Sequence, residues 1–549
     1  MHILKYLTMD SVDSIESLVV EKKKISEILG QWSKTLRIPV VQREFEWDEE
    51  KIKLLIDSIV RSYPVGTIIL LETYEQLPNA KIVGSDEELD SYGPFRYVID
   101  GQQRLLSLML LANSWKINRG NESIERGKIS FNPSTSELLI SDSIGINVSD
   151  LLHASMGNPK ALVKLVTYHQ DYETPLQTIG GKISNYELPI YTLKIQRGKQ
   201  IDPVVISEIF TRINASGMKL GNLEIFISFF ASAFPTLKEL ILERYKELNE
   251  LYEDEYPSWE SCIRTVFGNL GKSQSRITRK NSFKSTINEV KNEYEYRDAK
   301  LKEIIEKSFN SIKIGLSLIS DELGISARKY MPSHTVMIPV YRWIFVNNIS
   351  NLDEITKEDK NHILKWFLIA SVNNFFTTWT ERKLEKSLKL FTENTDFPVN
   401  ELLTLMKSFP GIVDHIEIDA KTSNATKSTL MLLMAMLHKK GSSDWAGHPV
   451  LVPNISIQHI FPQIFSRNDE LDSEYINSMA NLTLINKSVN SQIQDLKPIV
   501  YLPRFNADLA NHLIPPSSEL WELDQFESFL DKRSELIKNE LENLMKSFE

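Results

Sequence analysis

The chain has 549 residues, of which 42% are hydrophobic and 25% charged, the balance of a soluble globular protein. That excludes a disordered, collagen-like or coiled-coil chain, and at roughly 100–200 residues per domain it suggests about three domains. A net charge of -10 argues against coating nucleic acid or membrane by bulk charge, and a single cysteine, Cys262, excludes an intrachain disulfide or a Cys-based metal site.

The start of the chain lacks a signal-peptide pattern, and the longest apolar stretch, near Ile225 to Phe234, is far short of the ~20 residues that span a membrane. A cytoplasmic protein without membrane contact is expected. Residues 49–63 predict an amphipathic helix, with Ile52, Leu55, Ile56 and Ile59 at helical spacing. GTIILLE (66–72) and FRYVID (95–100) read as strands, and the LLSLMLLANSW run that follows reads as a buried helix. YELPIYTLKI (186–195) predicts another strand, DPVVISEIFTRI (202–213) a helix broken at NASG (214–217), and NLEIFISFFASAF a second buried helix. From about 235 to 420 mixed-charge helical periods take over, and a composition shift at GSSDWAGHPV (441–450) announces a third region. The expected domains are 1–240, 241–424 and 425–549, in a multi-domain α+β chain.

Two places carry chemistry. Asp100-Gly101-Gln102-Gln103-Arg104 lies between a strand and an apolar helix. A helix N-terminus presents free backbone N–H groups and a partial positive charge, which suits a phosphate. Gly101 permits close approach, Arg104 offers a bidentate fork, and Asp100 can serve a metal, a ribose hydroxyl or Arg104 itself. A plain N-cap aspartate with a surface arginine explains the same letters. Gln42 and Arg43 in IPVVQREFEW (38–47), and Arg212 and Asn214 in FTRINASGMKL (210–220), are further polar clusters.

Taken in order, IPVVQREFEW, YPVGTIIL, VIDGQQRLLSL and FTRINASGMKL resemble the ParB/sulfiredoxin-like α/β domain of GmrSD-type modification-dependent restriction enzymes, over most of residues 25–235. The resemblance implies a nucleoside triphosphate (GTP, ATP or another) bound and hydrolysed at Asp100, Gly101, Gln102, Gln103 and Arg104. It also implies Gln42, Arg43, Arg212 and Asn214 as further members of that pocket. GNLGKS (268–273) is no P-loop, because two residues rather than four separate its glycines.

The second place is His459. Ile455 and Ile457 alternate as a short strand leading to it, Pro462 ends that strand, and Asn481 and Asn490 follow nine residues apart around an apolar run. An imidazole can take a proton from water near neutral pH, and a divalent cation can bear on the scissile phosphate through few protein ligands. HIFPQIF followed by NLTLINKSVN resembles the HNH, or ββα-metal, nuclease domain of RNA-guided effectors and, more closely, the C-terminal domain of GmrSD-type enzymes. That resemblance implies His459 as general base, Asn490 as a ligand of Mg²⁺ or Mn²⁺, Asn481 as a brace of the base's loop and Lys497 as a phosphate contact. Gln458 stands where the family usually has an acidic metal ligand, so metal affinity should fall.

Between Cys262 and Asn288 there are six basic residues and no acidic one: Arg264, Lys272, Arg276, Arg279, Lys280 and Lys284. They make either a solvated loop or a sequence-blind contact with DNA backbone. The aromatic–basic stretch FFTTWTERKLEKSLK (375–389) stacks bases or packs internally. The sequence therefore leads to an NTP-regulated, metal-dependent endonuclease of a prokaryotic anti-phage system, acting on modified phage DNA. A homo-oligomer or other defence proteins are conceivable partners. The rival is a DNA or nucleotide sensor with a degenerate HNH domain.

Overall fold

The computed structural model describes residues 15–32, 36–38, 45–74, 81–82, 94–119, 122–169, 172–198, 222–252, 257–279, 282–294, 298–326, 330–393, 395–450, 455–468, 471–505 and 508–549. The chain is mixed α/β and forms two units: residues 1–239 with 283–291, and residues 240–282 with 292–549.

The first unit is built on a six-stranded mixed sheet. In chain order its strands are β1 (Ile15–Lys24), β2 (Leu36–Ile38), β3 (Ile68–Thr73), β4 (Lys81–Ile82), β5 (Phe95–Asp100) and, later, a strand at Glu187–Ile195. The spatial order runs β1, Glu187–Ile195, β3, β5, β2, β4. The central strand β3 is parallel to Glu187–Ile195 and antiparallel to β5. Two helices cover this sheet for opposite reasons of pattern. Glu49–Val60 is amphipathic, burying Ile52, Leu55, Ile56 and Ile59 as their spacing predicts, and Asp48 caps it by accepting from the Lys51 N–H. Gln102–Ala112 is apolar nearly all round and buries Leu105, Leu106 and Leu108 to Leu111. Smaller hairpins at 116–125 and 129–147, which the sequence pattern did not announce, extend this unit. The 202–217 segment lies outside the described residues. The chain returns to the first unit at 283–291, where the Phe283 ring meets the edge of Phe226 at 5.4 Å.

The second unit is helical. The long helix Asp298–Leu323 packs against Trp259–Asn269, Ile338–Val346 and Lys427–Lys439. The last of these buries every residue from Met431 to Leu437, which draws the C-terminal residues into the same unit as the helical middle. No break appears near residue 425, where the sequence suggested a separate third domain. A hairpin of Ile455–His459 and Leu482–Asn486 lies in this unit, followed by the helix Lys487–Ile493 and, later, the helix Phe526–Lys546. Among the described residues no helix is long and apolar enough to cross a membrane.

Candidate functional site

In the first unit the residues of three separate motifs meet at the end of β5. Gly101, at φ 88°, turns the chain from Asp100 into the helix Gln102–Ala112, and no side chain caps that helix. A Cβ at Gly101 would stand 3.1 Å from the Thr67 carbonyl oxygen, so the turn is tightly seated as well as left-handed. Arg104 folds back over it. Its Nη2 lies 3.1 Å from Asp100 Oδ2, and its Nη1 donates to the Val65 carbonyl at 2.9 Å. Gly66, at φ 85°, leaves the space the guanidinium fills, since a Cβ there would stand 2.2 Å from Arg104 Nη1.

Gln103 behaves differently from expectation. It is 8% exposed, and its Oε1 accepts from the Glu46 and Trp47 N–H groups at 2.9 and 3.2 Å, tying the end of the first motif to the helix. Gln102 is 4% exposed. Both were expected in a nucleotide pocket, but the first turn of this helix faces the core, and Asp100 and Arg104 keep the access at 30% and 18% side-chain exposure. Gln42, Arg43, Arg212 and Asn214 lie outside the described residues.

In the second unit the hairpin sets His459 opposite Leu482 and Gln458 opposite Thr483, and the chain then enters the helix carrying Asn490. Asn481 is fully buried and holds the turn after His459. Its Nδ2 donates to the carbonyls of Phe461 (3.0 Å) and Ile476 (2.8 Å), its Oδ1 accepts from the Phe461 N–H (2.8 Å), and its carbonyl accepts from the Ile460 N–H (2.8 Å). The same asparagine thus fixes both sides of a small amide cluster. His459 Nε2 lies 3.0 Å from Asn477 Oδ1, and Gln463 Nε2 lies 2.9 Å from that oxygen and 3.2 Å from the imidazole. Burial lowers the His459 pKa below the usual imidazole value, and the bond to Asn477 opposes this only in part. The ring is therefore neutral near pH 7 and free to accept a proton.

Gln458 alternates to the other side of the strand. It is 4% exposed, donates to the His459 carbonyl at 2.7 Å and bonds Tyr501. Asn490 Nδ2 donates to Ser456 Oγ at 2.8 Å, two residues from Gln458 and so on the same side of the strand. Lys497 is exposed at the start of the turn Pro498–Tyr501. Among the described residues no group of three His, Cys, Asp or Glu side chains is placed to hold a metal ion.

Sequence reading passed over the supports behind this hairpin. Thr483 Oγ1 lies 2.6 Å from His512 Nδ1, and His512 Nε2 lies 3.0 Å from Asp508 Oδ2. The trio resembles a proton relay, but Thr483 and His512 are 0% exposed, so it is a brace. Arg533, on the last helix, is also fully buried. It donates to the carbonyls of Met479, Ala480, His512 and Leu513, and burial lowers its pKa to about 9. Asn477 sits one helical turn's length before Asn481, a spacing that could have drawn notice.

The basic segment is less free than its composition. Arg264 is 4% exposed and pairs with Glu260 and Glu381, while Lys272 pairs with Glu293. These two are therefore removed from the expected DNA contact, because partners distant in sequence neutralise them. Arg279 is exposed and Arg276 half-buried; Lys280 and the Lys284 side chain lie outside the described residues. The GNLGKS segment is a helix end, with Gly268 inside Trp259–Asn269 against Leu388.

The chain is 20% identical over 510 residues to the uncharacterized protein MJ0686 of Methanocaldococcus jannaschii, a match covering 85% of this chain and 83% of that one. Residues 22–231, which hold the Asp100–Arg104 turn and all the segments that meet there, match the family model described as the GmrSD restriction endonuclease N-terminal domain, and this match points to a function of the restriction endonuclease type with DNA as partner.

Proposed function

We propose that the chain is a metal-dependent DNA endonuclease in which His459 activates the attacking water and the Asp100–Arg104 turn binds the nucleotide that controls it. One observation supports the first half: His459, Asn481 and Asn490 lie on a strand, a braced turn with a second strand, and a helix, which are the elements that the resemblance to a ββα-metal nuclease implies. An imidazole kept neutral by burial, with one ring nitrogen occupied by Asn477, leaves the other to take a proton from water. Lys497, exposed nearby in sequence, would meet a phosphate oxygen.

The donor set fits a hard divalent cation only through neutral oxygens. The Asn490 amide oxygen is the better donor, since Gln458 is buried against Tyr501 and would have to turn. Bound Mg²⁺ or Mn²⁺ supplies positive charge to the scissile phosphate. The second half of the reading rests on the uncapped helix start at Gly101 beside Arg104, whose side chain keeps 18% exposure, which suits the phosphates of a nucleoside triphosphate. Modified phage DNA is the substrate implied by the family.

His459→Ala should lower plasmid nicking in Mg²⁺ or Mn²⁺ by about 10²–10⁴-fold. Nicking at the wild-type rate would remove the hydrolytic assignment. Because the folded-state pKa of His459 is depressed, the acid limb of the wild-type pH–rate profile should have its midpoint below that of a free histidine, roughly 6.5. A midpoint above it would contradict a half-buried base held neutral by its surroundings. The absence of a carboxylate at Gln458 favours the alternative of a sensor without cleavage, for which wild type itself would not nick under any metal.

A further inference from the structure

The second unit also presents a face that is both cationic and aromatic. The helix Thr380–Leu388 is entered through Trp379, held at φ 55° in the left-handed region that bulky residues rarely adopt. Phe375 and Phe376, just before it, are buried at 0% and 3%, whereas the Trp379 indole is 58% exposed. The stretch that sequence left undecided between stacking and packing is thus divided between the two.

From Trp379 the exposed side chains Arg382, Lys386 and Lys389 follow at steps of three, four and three, which places all four on one side of the helix. Arg382 lies 5.5 Å from the centre of the indole, and Phe409 meets it edge-on at 6.2 Å. The acids of the helix are drawn away from this side. Glu381 bonds the buried Arg264. Glu385 accepts from the Ser273 hydroxyl and from the Ser275 N–H at 2.9 Å. Although burial opposes its charge, those bonds hold the Glu385 carboxyl below its usual range. The short helix Gln274–Thr278 packs against Thr380–Leu388, so the segment that takes up Glu385 also ends in the exposed Arg279.

We propose that this face binds single-stranded nucleic acid, with Trp379 stacking an unpaired base and Arg382, Lys386 and Lys389 holding backbone phosphates. Lys389 is partly offset by the Glu385 carboxylate, but cations outnumber acids along this row, which calls for a polyanion, and an exposed indole finds the π-face of a base only where the base is out of a duplex stack. The assignment rests on DNA as the partner proposed above but not on hydrolysis at His459.

The test is fluorescence anisotropy of a fluorescein-labelled oligo-thymidine and of a duplex, with EDTA present so that nothing is cut. Wild type should prefer the single strand. Reversing all three charges (R382E/K386E/K389E) should weaken binding at least ten-fold and lower the slope of log K against log salt by about 2. Trp379→Ala should lose roughly ten-fold with the slope unchanged, and Trp379→Phe should keep most of the affinity. Unchanged thermal melting confirms that the variants fold. The proposal is overturned if the triple variant binds like wild type, if Trp379→Ala does, or if wild type binds no single strand. Nicking by wild type and its loss in His459→Ala are read separately, so those outcomes leave the nuclease reading standing, whereas absence of both binding and nicking retires both.

Discussion

Asn481→Ala should lower DNA cleavage by more than about 100-fold and unfold the protein at markedly lower denaturant, although Asn481 is fully buried. The side chain satisfies three backbone groups, two carbonyls and one N–H, at 2.8 to 3.0 Å. A buried polar group left without a partner costs about 1–3 kcal/mol, so the three together predict a loss of roughly 3–4 kcal/mol after partial relaxation. The effect on activity follows from where those groups lie. Phe461 is two residues from His459, and Ile476 precedes Asn477, so slackening the turn moves the base and its hydrogen-bond partner independently. Cleavage should fall more than about 100-fold, in keeping with the cost of ångström-scale misplacement. Urea denaturation and plasmid nicking check the two parts. Asn481→Asp keeps the acceptor but sets a buried carboxylate against the Phe461 and Ile476 carbonyl oxygens, so it should be no more stable than the alanine variant; full activity in the alanine variant would show that the turn is not what positions His459.

The second large effect is expected at Gly66, in the other unit. An alanine there pays about 1–2 kcal/mol for left-handed backbone, and its Cβ also occupies the place of Arg104 Nη1. The guanidinium must then leave the Val65 carbonyl and Asp100 together. Gly66→Ala should therefore match Arg104→Ala in losing nucleotide binding, as read by calorimetric titration with ATP and GTP. Unimpaired binding in Gly66→Ala alongside loss in Arg104→Ala would mean that the nucleotide draws the arginine elsewhere.

Much of the first unit was legible because its signals are local. The four apolar positions of Glu49–Val60 show their face in the spacing alone, and Asp100-Gly101 marks a strand-to-helix turn that only a left-handed residue can make. What was not legible depends on partners far along the chain. Gln103 reads as a ligand-facing amide until Glu46 and Trp47, more than fifty residues earlier, are seen to claim its oxygen. Arg264 and Lys272 read as free cations until Glu381 and Glu293 are placed beside them. Around His459 the histidine and the two asparagines could be found from spacing. The cluster with Asn477 and Gln463 could not, because it is closed by a loop whose path no periodicity records. The missing break near 425 has a similar cause: the apolar helix Lys427–Lys439 shows that it must be buried, but not in which unit.

The buried Arg533 has a consequence for the order in which the protein is made. The carbonyls it holds, at Met479 and Ala480, belong to the turn that leads into Asn481, while Arg533 itself emerges from the ribosome more than fifty residues later. A chain stalled or cut short after residue 500 would carry His459, Asn481 and Asn490 with their turn unfastened. The turn that carries these residues is thereby fastened only after Arg533 has been made, so a fragment that ends between Asn490 and Arg533 should hold it loosely.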